Sequence, residues 1–136
     1  MHLYDCHTHI YPPTSTCIFQ SNGDPYPHPY SLGIPPWQAG EISFDFLEAH
    51  LQDPYCVALG ELGFDGLRGV EFSVQRHVFI SQIHLANRFQ KPVILHLVKA
   101  WHVFHPLIKK CNKPPGCFTG STNQNFGKRC CIRTYL

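Results

Sequence analysis

Two strand-like apolar runs flank the clearest helical segment of the chain, and this order constrains the fold more than any other feature. Residues 55–60 (YCVALG) and 93–97 (VILHL) are almost entirely apolar, as is typical of parallel strands buried on both faces. Between them, residues 71–90 place Phe79, Ile83 and Ala86 on one helical face, and Lys91-Pro92 ends the helix. A strand–helix–strand order predicts the parallel sheet of an α/β protein.

Further segments extend this alternation. Residues 3–9 and 30–34 predict two more strands, and residues 41–52 and 99–110 predict two more helices. The rest of residues 11–36 and the glycine-rich residues 63–69 predict loops. Predicted strands follow one another at about 25–37 residues, which fits the repeat of a (β/α)8 barrel. We therefore predict an α/β fold: a partial (β/α)8 TIM-type barrel of four to five βα units with parallel strands.

The composition narrows the class of protein. No apolar stretch approaches the roughly 18 residues that suggest a membrane span, and the chain does not start with a basic, then apolar, leader. We therefore expect a cytoplasmic protein of one domain's length, without a membrane partner.

Seven irregularly spaced cysteines include no Cys-x-x-Cys pair, which favours reduced thiols. The alternative is a zinc knuckle formed by the four late cysteines, Cys111, Cys117, Cys130 and Cys131.

Charge is divided sharply along the chain. All nine acidic residues lie within residues 5–71, where Arg68 is the only lysine or arginine, so residues 1–71 carry a net charge of −8. Residues 72–136 carry +10. Either the two halves neutralise each other by packing, or the basic half attracts phosphate. Any carboxylate that binds metal or transfers protons must lie at or before Glu71.

His7 and His9 carry the first sign of chemistry. Side chains two residues apart on a strand point to the same face, so these two imidazoles can reach one metal ion. Glu61 and His96 each lie where an apolar, strand-like run ends. The sequence therefore predicts a metal site built from His7, His9, Glu61 and His96. A chance histidine pair, a turn glutamate and a buried structural histidine are the alternatives.

Five blocks of sequence resemble the TatD family of metal-dependent hydrolases over about residues 1–110. They occur in the family's order and with suitable spacing. The blocks are DCHTH (residues 5–9), LGIPPW (32–37), ALGELGFD (58–65), the Gln75 to Ala86 segment of the predicted helix, and KPVILH (91–96).

The resemblance implies a (β/α)8 barrel that holds one or two divalent ions (Zn, Mn, Co or Mg) at the C-terminal ends of its strands and hydrolyses DNA phosphodiesters. By this resemblance His7, His9, Glu61 and His96 are metal ligands, and Glu61 is also the catalytic carboxylate. Asp5 and Asp65 match positions that orient ligands rather than touch metal. Lys99 either binds a substrate phosphate or is a solvated helix start, and we expect Trp37 in the core or at the rim.

Three departures from the family pattern predict a truncated member. Pro35 and Gly116 stand where the family has histidines, and the metal-binding aspartate of a late strand has no counterpart. We therefore predict a half-barrel over residues 1–110 and a divergent cysteine-rich tail over residues 111–136. Truncation, or a shifted reading frame near Lys113, would explain the tail.

Two functions follow from these features. The first is a metal-dependent hydrolase of ester bonds, with DNA or a small phosphoester as its substrate. The alternative is a catalytically inactive half-barrel that acts by self-association or by pairing with a full-length relative. A second copy of the chain, or a full-length relative, could supply the missing half of the barrel, because open parallel edges invite pairing.

Overall fold

The sheet has five parallel strands. The computed structural model describes residues 5–10, 17–24 and 26–108. Within them the strands are β1 (Asp5–Thr8), β2 (Cys17–Gln20), β3 (Tyr30–Leu32), β4 (Cys56–Asp65) and β5 (Val93–Val98), which pair in chain order. Each neighbouring pair is parallel. The predicted α/β class with four to five parallel strands is confirmed, whereas the predicted tail, with Lys113, Gly116 and the late cysteines, lies outside the described residues.

Three α-helices accompany the sheet. They are α1 (Phe44–Leu51), α2 (Phe72–Phe89) and α3 (Trp101–Ile108), and a short 3-10 helix spans Pro36–Gln38. Helix α1 begins where the Ser43 hydroxyl accepts a hydrogen bond from the Phe46 N–H, which satisfies one free donor of the first turn. Helix α2 ends at Gln90, whose φ of 52° is left-handed. Of the described helices, none has both the length and the apolar character that crossing a membrane requires.

Two predictions about the strands were wrong: one strand was missed, and the end of another was misplaced. Residues 17–20 were predicted to lie in a loop, but they form β2, which gains its stability from pairing with β1 and β3 on both sides rather than from a local pattern. Strand β4 was predicted to end at Gly60, but it continues to Asp65. It continues because β5 supplies partners along this whole length, from Leu59 opposite Val93 to Asp65 opposite Val98.

The hydrophobic core lies between the sheet and the helices. Helices α1 and α2 contribute buried side chains that pack against alternate residues of β4 and β5. The main members are Leu47, Leu51, Val78, Phe79, Ile83 and Ala86 on the helices and Leu59, Leu62, Phe64, Val93 and Leu95 on the strands. The opposite face of the same strands is therefore left for other side chains.

An irregularity in β4 decides which side chains occupy that opposite face. The pairing register with β5 shifts between Gly60 and Leu62. As a result Leu59 and Leu62, three residues apart, both pack in the helix-side core. Regular alternation resumes beyond the shift, so Glu61 and Asp65 share the face opposite to Leu62.

Candidate metal centre

His7, His9 and Glu61 form a compact cluster of potential metal ligands. Their ligand atoms all lie within 4.8 Å of one another. His7 Nε2 is 3.7 Å from Glu61 Oε2, and His9 Nε2 is 3.9 Å from Glu61 Oε1. The two Nε2 atoms are 3.0 Å apart, within hydrogen-bond distance. The structure therefore brings together three of the four residues predicted as ligands, although their role as ligands stays a prediction.

The cluster also shows that the sheet is curled. Strands β1 and β4 are separated by two other strands, and at about 4.8 Å per strand a flat sheet would hold them roughly 14 Å apart. Side chains stand roughly perpendicular to a sheet, so those of His7 and Glu61 would not meet across that distance. Their contact requires the inner faces of the two strands to turn toward each other, as in a barrel wall.

His96, the fourth predicted ligand, lies beside Glu61 but is also bonded to a second carboxylate. In the β4–β5 register it is opposite Gly63, midway between Glu61 and Asp65. Its Nδ1 is 3.3 Å from Glu61 Oε2, and its Nε2 is 3.0 Å from Asp65 Oδ2. Each nitrogen of the buried His96 ring therefore faces a carboxylate oxygen, and the ring is shared between Glu61 and Asp65.

Asp65 is held firmly at the end of β4. Its Oδ1 accepts hydrogen bonds from the backbone N–H groups of Leu67 (2.8 Å) and Arg68 (3.0 Å), and its Oδ2 accepts from His96 and from Arg68 Nε. Asp65 touches His96 and is not a member of the cluster. This placement agrees with the predicted ligand-orienting position, and that role stays a prediction.

The buried carboxylates and the His96 ring shift one another's pKa toward the charged forms. Burial by itself raises the pKa of Glu61, but the hydrogen bond from His96 and the nearby imidazoles outweigh it and hold the pKa below its ordinary range. Burial lowers the pKa of His96, but the two carboxylates outweigh it and raise that pKa. Burial likewise raises the pKa of Asp65, and its hydrogen bonds, led by that from Leu67 N–H, lower it overall. Glu61 is therefore ionised at neutral pH and presents both oxygens to the cluster.

The remaining predicted residues lie on β1, directly after β5, and at the 3-10 helix. Asp5 belongs to β1, and its side chain is outside the described part of the structure. Lys99 is exposed and follows directly after β5. Pro35 precedes the 3-10 helix that carries Trp37, and the indole of Trp37 packs edge-on against the His96 ring at a centroid distance of 5.0 Å.

Two neighbours of the site were not predicted as functional residues. Trp37 contacts the His96 ring, and Arg68 bonds Asp65 and lies over the Trp37 ring. The one sequence signal for Arg68 was its isolation as a basic residue among nine acids. Nothing in the spacing of Trp37 and Arg68 indicated that they touch, because their contact joins the 3-10 helix to a distant loop.

The fold and the cluster together define a parallel α/β protein with a curled sheet that carries a His–His–Glu group on its inner face. A protein-family model described as TatD related DNase matches residues 19–126. The chain belongs to this family, and the predicted resemblance is confirmed.

Named relatives and a solved structure agree with this assignment. The 3'-5' ssDNA/RNA exonuclease TatD of Citrobacter rodentium is 34% identical over 109 residues, covering 73% of this chain and 41% of the relative. The protein of the same name from Edwardsiella piscicida is 35% identical over 103 residues, covering 69% of this chain and 40% of the relative. The crystal structure of YjjV, a TatD homolog from Escherichia coli K12, superposes with a TM-score of 0.54 at 29% identity, covering 60% of this chain and 34% of that one. The chain thus spans about two fifths of the curated relatives' length.

Proposed function

We propose that the chain is a metal-dependent hydrolase of phosphodiester bonds in nucleic acid. The observation that supports this proposal is the convergence of His7, His9 and Glu61, whose ligand atoms lie within 4.8 Å of one another. Two imidazoles and a carboxylate form a donor set that suits Zn, Mn or Co, and less closely Mg. A divalent ion bound there would lower the pKa of its water from 15.7 to about 7.

Glu61 is the central residue of the proposed site. Its Oε2 faces His7 and His96, and its Oε1 faces His9, so the two oxygens point to different neighbours. This arrangement supports either one ion or a pair of ions that share the carboxylate. As an orienting residue, Asp65 holds His96 at Nε2 and leaves Nδ1 directed at Glu61. His96 would join the ligands through Nδ1, which binds a metal only when it carries no proton.

The substrate class comes from the relatives. Both relatives are named as exonucleases of single-stranded DNA and RNA. We extend that substrate class, nucleic acid, to this chain, and we keep a small phosphoester as the simpler alternative. Pro35 replaces a family histidine, so we expect weaker turnover than a full ligand set would give. A cytoplasmic location stays a prediction.

Metal titration and turnover test this proposal together. We expect wild-type protein to bind Zn²⁺ or Mn²⁺ in calorimetry and to hydrolyse a chromogenic phosphodiester. His7→Ala and Glu61→Gln remove direct ligands, so each should lose more than the roughly 10–100-fold in metal affinity that loss of an orienting partner costs. His84→Ala is the matched control, because His84 is an exposed histidine of α2. Unchanged metal affinity and turnover in both ligand variants would reject the proposed site.

The second candidate function is an inactive half-barrel that acts by association. The described sheet favours it in one respect: β1 and β5 each pair with a single neighbour, so each leaves one edge that another strand can pair with. Light scattering on the purified chain would then show a homo-oligomer, and metal titration would show no tight site. A monomer that binds metal and turns over substrate would exclude this candidate.

A further inference from the structure

We propose that Arg68 binds a backbone phosphate of a nucleic-acid strand, a different phosphate from the one held at the metal cluster. This inference rests on the proposed function for its substrate class. It assigns the task of strand binding to a residue in the loop between β4 and α2. Four observations support it: how the guanidinium is held, which of its N–H groups remain available, where it lies relative to the cluster, and the charge of the residues around it.

Trp37 and Asp65 fix the position of the guanidinium. The Cζ atom of Arg68 lies 4.1 Å from the centroid of the Trp37 ring, which is cation–π contact. Its Nε donates to Asp65 Oδ2 at 3.4 Å, and its backbone N–H donates to Oδ1 of the same carboxylate. A surface arginine normally loses side-chain entropy when it binds a ligand. These contacts restrict the side chain in advance and so reduce that loss.

The terminal N–H groups of Arg68 remain available to a ligand. Within residues 5–10, 17–24 and 26–108, no hydrogen bond involves its two terminal nitrogens, and the side chain is 61% exposed. The planar pair of terminal nitrogens matches two oxygens of a phosphate, which is why arginine is favoured for phosphate recognition. The ion pair with Asp65 therefore uses the inner edge of the guanidinium and leaves the outer edge for substrate.

The position of Arg68 favours a strand over a single phosphate. The contacts run in sequence from Arg68 through Asp65 and His96 to Glu61, so a carboxylate and an imidazole intervene between the guanidinium and the cluster. A phosphate held by Arg68 is thus not the phosphate held at Glu61. Two separate phosphate positions require a substrate with at least two phosphates, as a nucleic-acid strand has.

Local charge favours a role for this cation in binding a polyanion. Arg68 is the only lysine or arginine of residues 1–71, which carry a net charge of −8. The carboxylates of Glu61 and Asp65 lie on the same side of the sheet and repel phosphate. A fixed guanidinium beside them lowers that repulsion at the point where a strand would enter.

Binding measured without turnover tests the proposal. The probe is a fluorescein-labelled single-stranded oligonucleotide in EDTA, followed by anisotropy over a salt series. Loss of one charged hydrogen-bonding contact predicts about tenfold weaker binding for Arg68→Gln at low salt. The slope of log K against log salt should fall by about 0.7, the value for one phosphate contact on a single strand. Arg68→Lys should keep the slope and recover part of the affinity, because it keeps the charge without the planar fork.

Arg88→Gln is the matched control, since it removes the same charge from an exposed arginine at the other end of α2, where Arg88 pairs with Glu48. Equal affinities and slopes for Arg68→Gln and Arg88→Gln would overturn the proposal. So would wild-type protein that shows no salt-dependent binding, or inorganic phosphate that displaces the oligonucleotide completely. An Arg68-dependent slope in protein that neither binds metal nor hydrolyses phosphodiesters would reject the proposed function and leave the role of Arg68 in place.

Discussion

Gly63 lies opposite His96 in the β4–β5 pairing, and the absence of a side chain there allows the two strands to approach beside the site. Its φ of +149° falls in the region that favours glycine. A Cβ added to it would collide with the backbone carbonyl oxygen of His96. Because that obstacle is backbone, it cannot turn away as a flexible side chain can. The position of His96 between Glu61 and Asp65 therefore depends on this glycine.

Gly63→Ala should consequently be more destabilising than another glycine replacement at positive φ. Gly40 is the control, because its φ is +96° and a Cβ there would meet nothing within 4 Å. Gly40→Ala should cost only the backbone strain, about 1–3 kcal/mol. Gly63→Ala should cost a further 1–3 kcal/mol or so from overpacking against β5. Urea unfolding followed by circular dichroism measures both values. Equal losses of stability would show that the β5 backbone shifts easily to make room for the added Cβ.

At the scale of elements, helix α2 supports the site through two buried glutamines. Gln75 accepts a hydrogen bond from the Asp65 N–H (2.9 Å) and donates to the carbonyls of Asp65 (3.1 Å) and Val70 (2.6 Å). Gln82 accepts from the Ile34 N–H and donates to the Ile34 carbonyl. The two glutamines are seven residues apart and so share one face of the helix. They satisfy backbone groups at the last residue of β4 and two residues beyond the end of β3.

Replacing Gln75 tests this support. Gln75→Leu keeps a side chain of similar size but leaves the N–H and C=O of Asp65 unpaired in a buried place, which costs about 1–3 kcal/mol. Gln52→Leu, at an exposed position after α1, should change stability by no more than about 0.5 kcal/mol. The free energy of unfolding in urea gives both values. A Gln75→Leu variant as stable as the control would mean that water replaces the amide.

The sequence predicted the elements that have a strong local pattern. Helix α2 and strand β5 were found because apolar periodicity, Lys91-Pro92 and an apolar run mark them without reference to the rest of the chain. Strand β2 was missed because four residues in a turn-rich segment form a strand only between two partners. The end of β4 was misplaced for the same reason, since pairing with β5 carries the strand through Gly63.

For the site, too, the features that could be predicted are those set by the local sequence, and the others depend on long-range packing. The same-face placement of His7 and His9 follows from the two-residue period of a strand, and the cluster contains both. The approach of Glu61 followed from the expected barrel curvature together with the family resemblance. The hydrogen bonds of His96 to both Glu61 and Asp65 could not be predicted, because they depend on a register shift within β4. The stacking of Arg68 on Trp37 depends on how the loop after β4 packs on the 3-10 helix, which no spacing encodes.

At the scale of the whole molecule, a tyrosine and an aspartate link the sheet to the segment between α1 and β4. The buried Tyr30 of β3 donates its hydroxyl to Asp53 Oδ2 at 2.7 Å, and Asp53 also accepts from the Tyr55 N–H. The Tyr30 hydrogen bond, followed by that from Tyr55, lowers the pKa of Asp53. Burial, followed by the hydrogen bond to Asp53, raises the pKa of Tyr30 well above its ordinary value. Stability therefore depends on pH at both ends of the range.

The sign of each effect follows from the direction of the shift. Asp53 has a lower pKa in the folded state, so its contribution is present above the unfolded value of about 3.9 and is lost as the pH falls through the folded pKa. Tyr30 has a higher pKa in the folded state, so its contribution is present below the unfolded value of about 10 and is lost as the pH rises through the folded pKa. Both contributions are complete between these limits.

Tyr30→Phe removes the hydroxyl, and with it the Tyr30 contribution and the largest single cause of the Asp53 contribution. The stability difference between wild type and Tyr30→Phe should be largest from about pH 5 to 9 and should shrink toward acid and toward alkali. The variant itself still loses stability at low pH, because the pKa values of Glu61 and Asp65 are also lowered in the folded state. Urea midpoints from pH 3 to 11 measure the difference. Tyr55→Phe is the control, since Tyr55 is exposed and bonds Asp53 only through its backbone, and its difference should not vary with pH. If the stability difference between wild type and Tyr30→Phe also stays constant across pH, the hydroxyl stabilises the fold through packing alone.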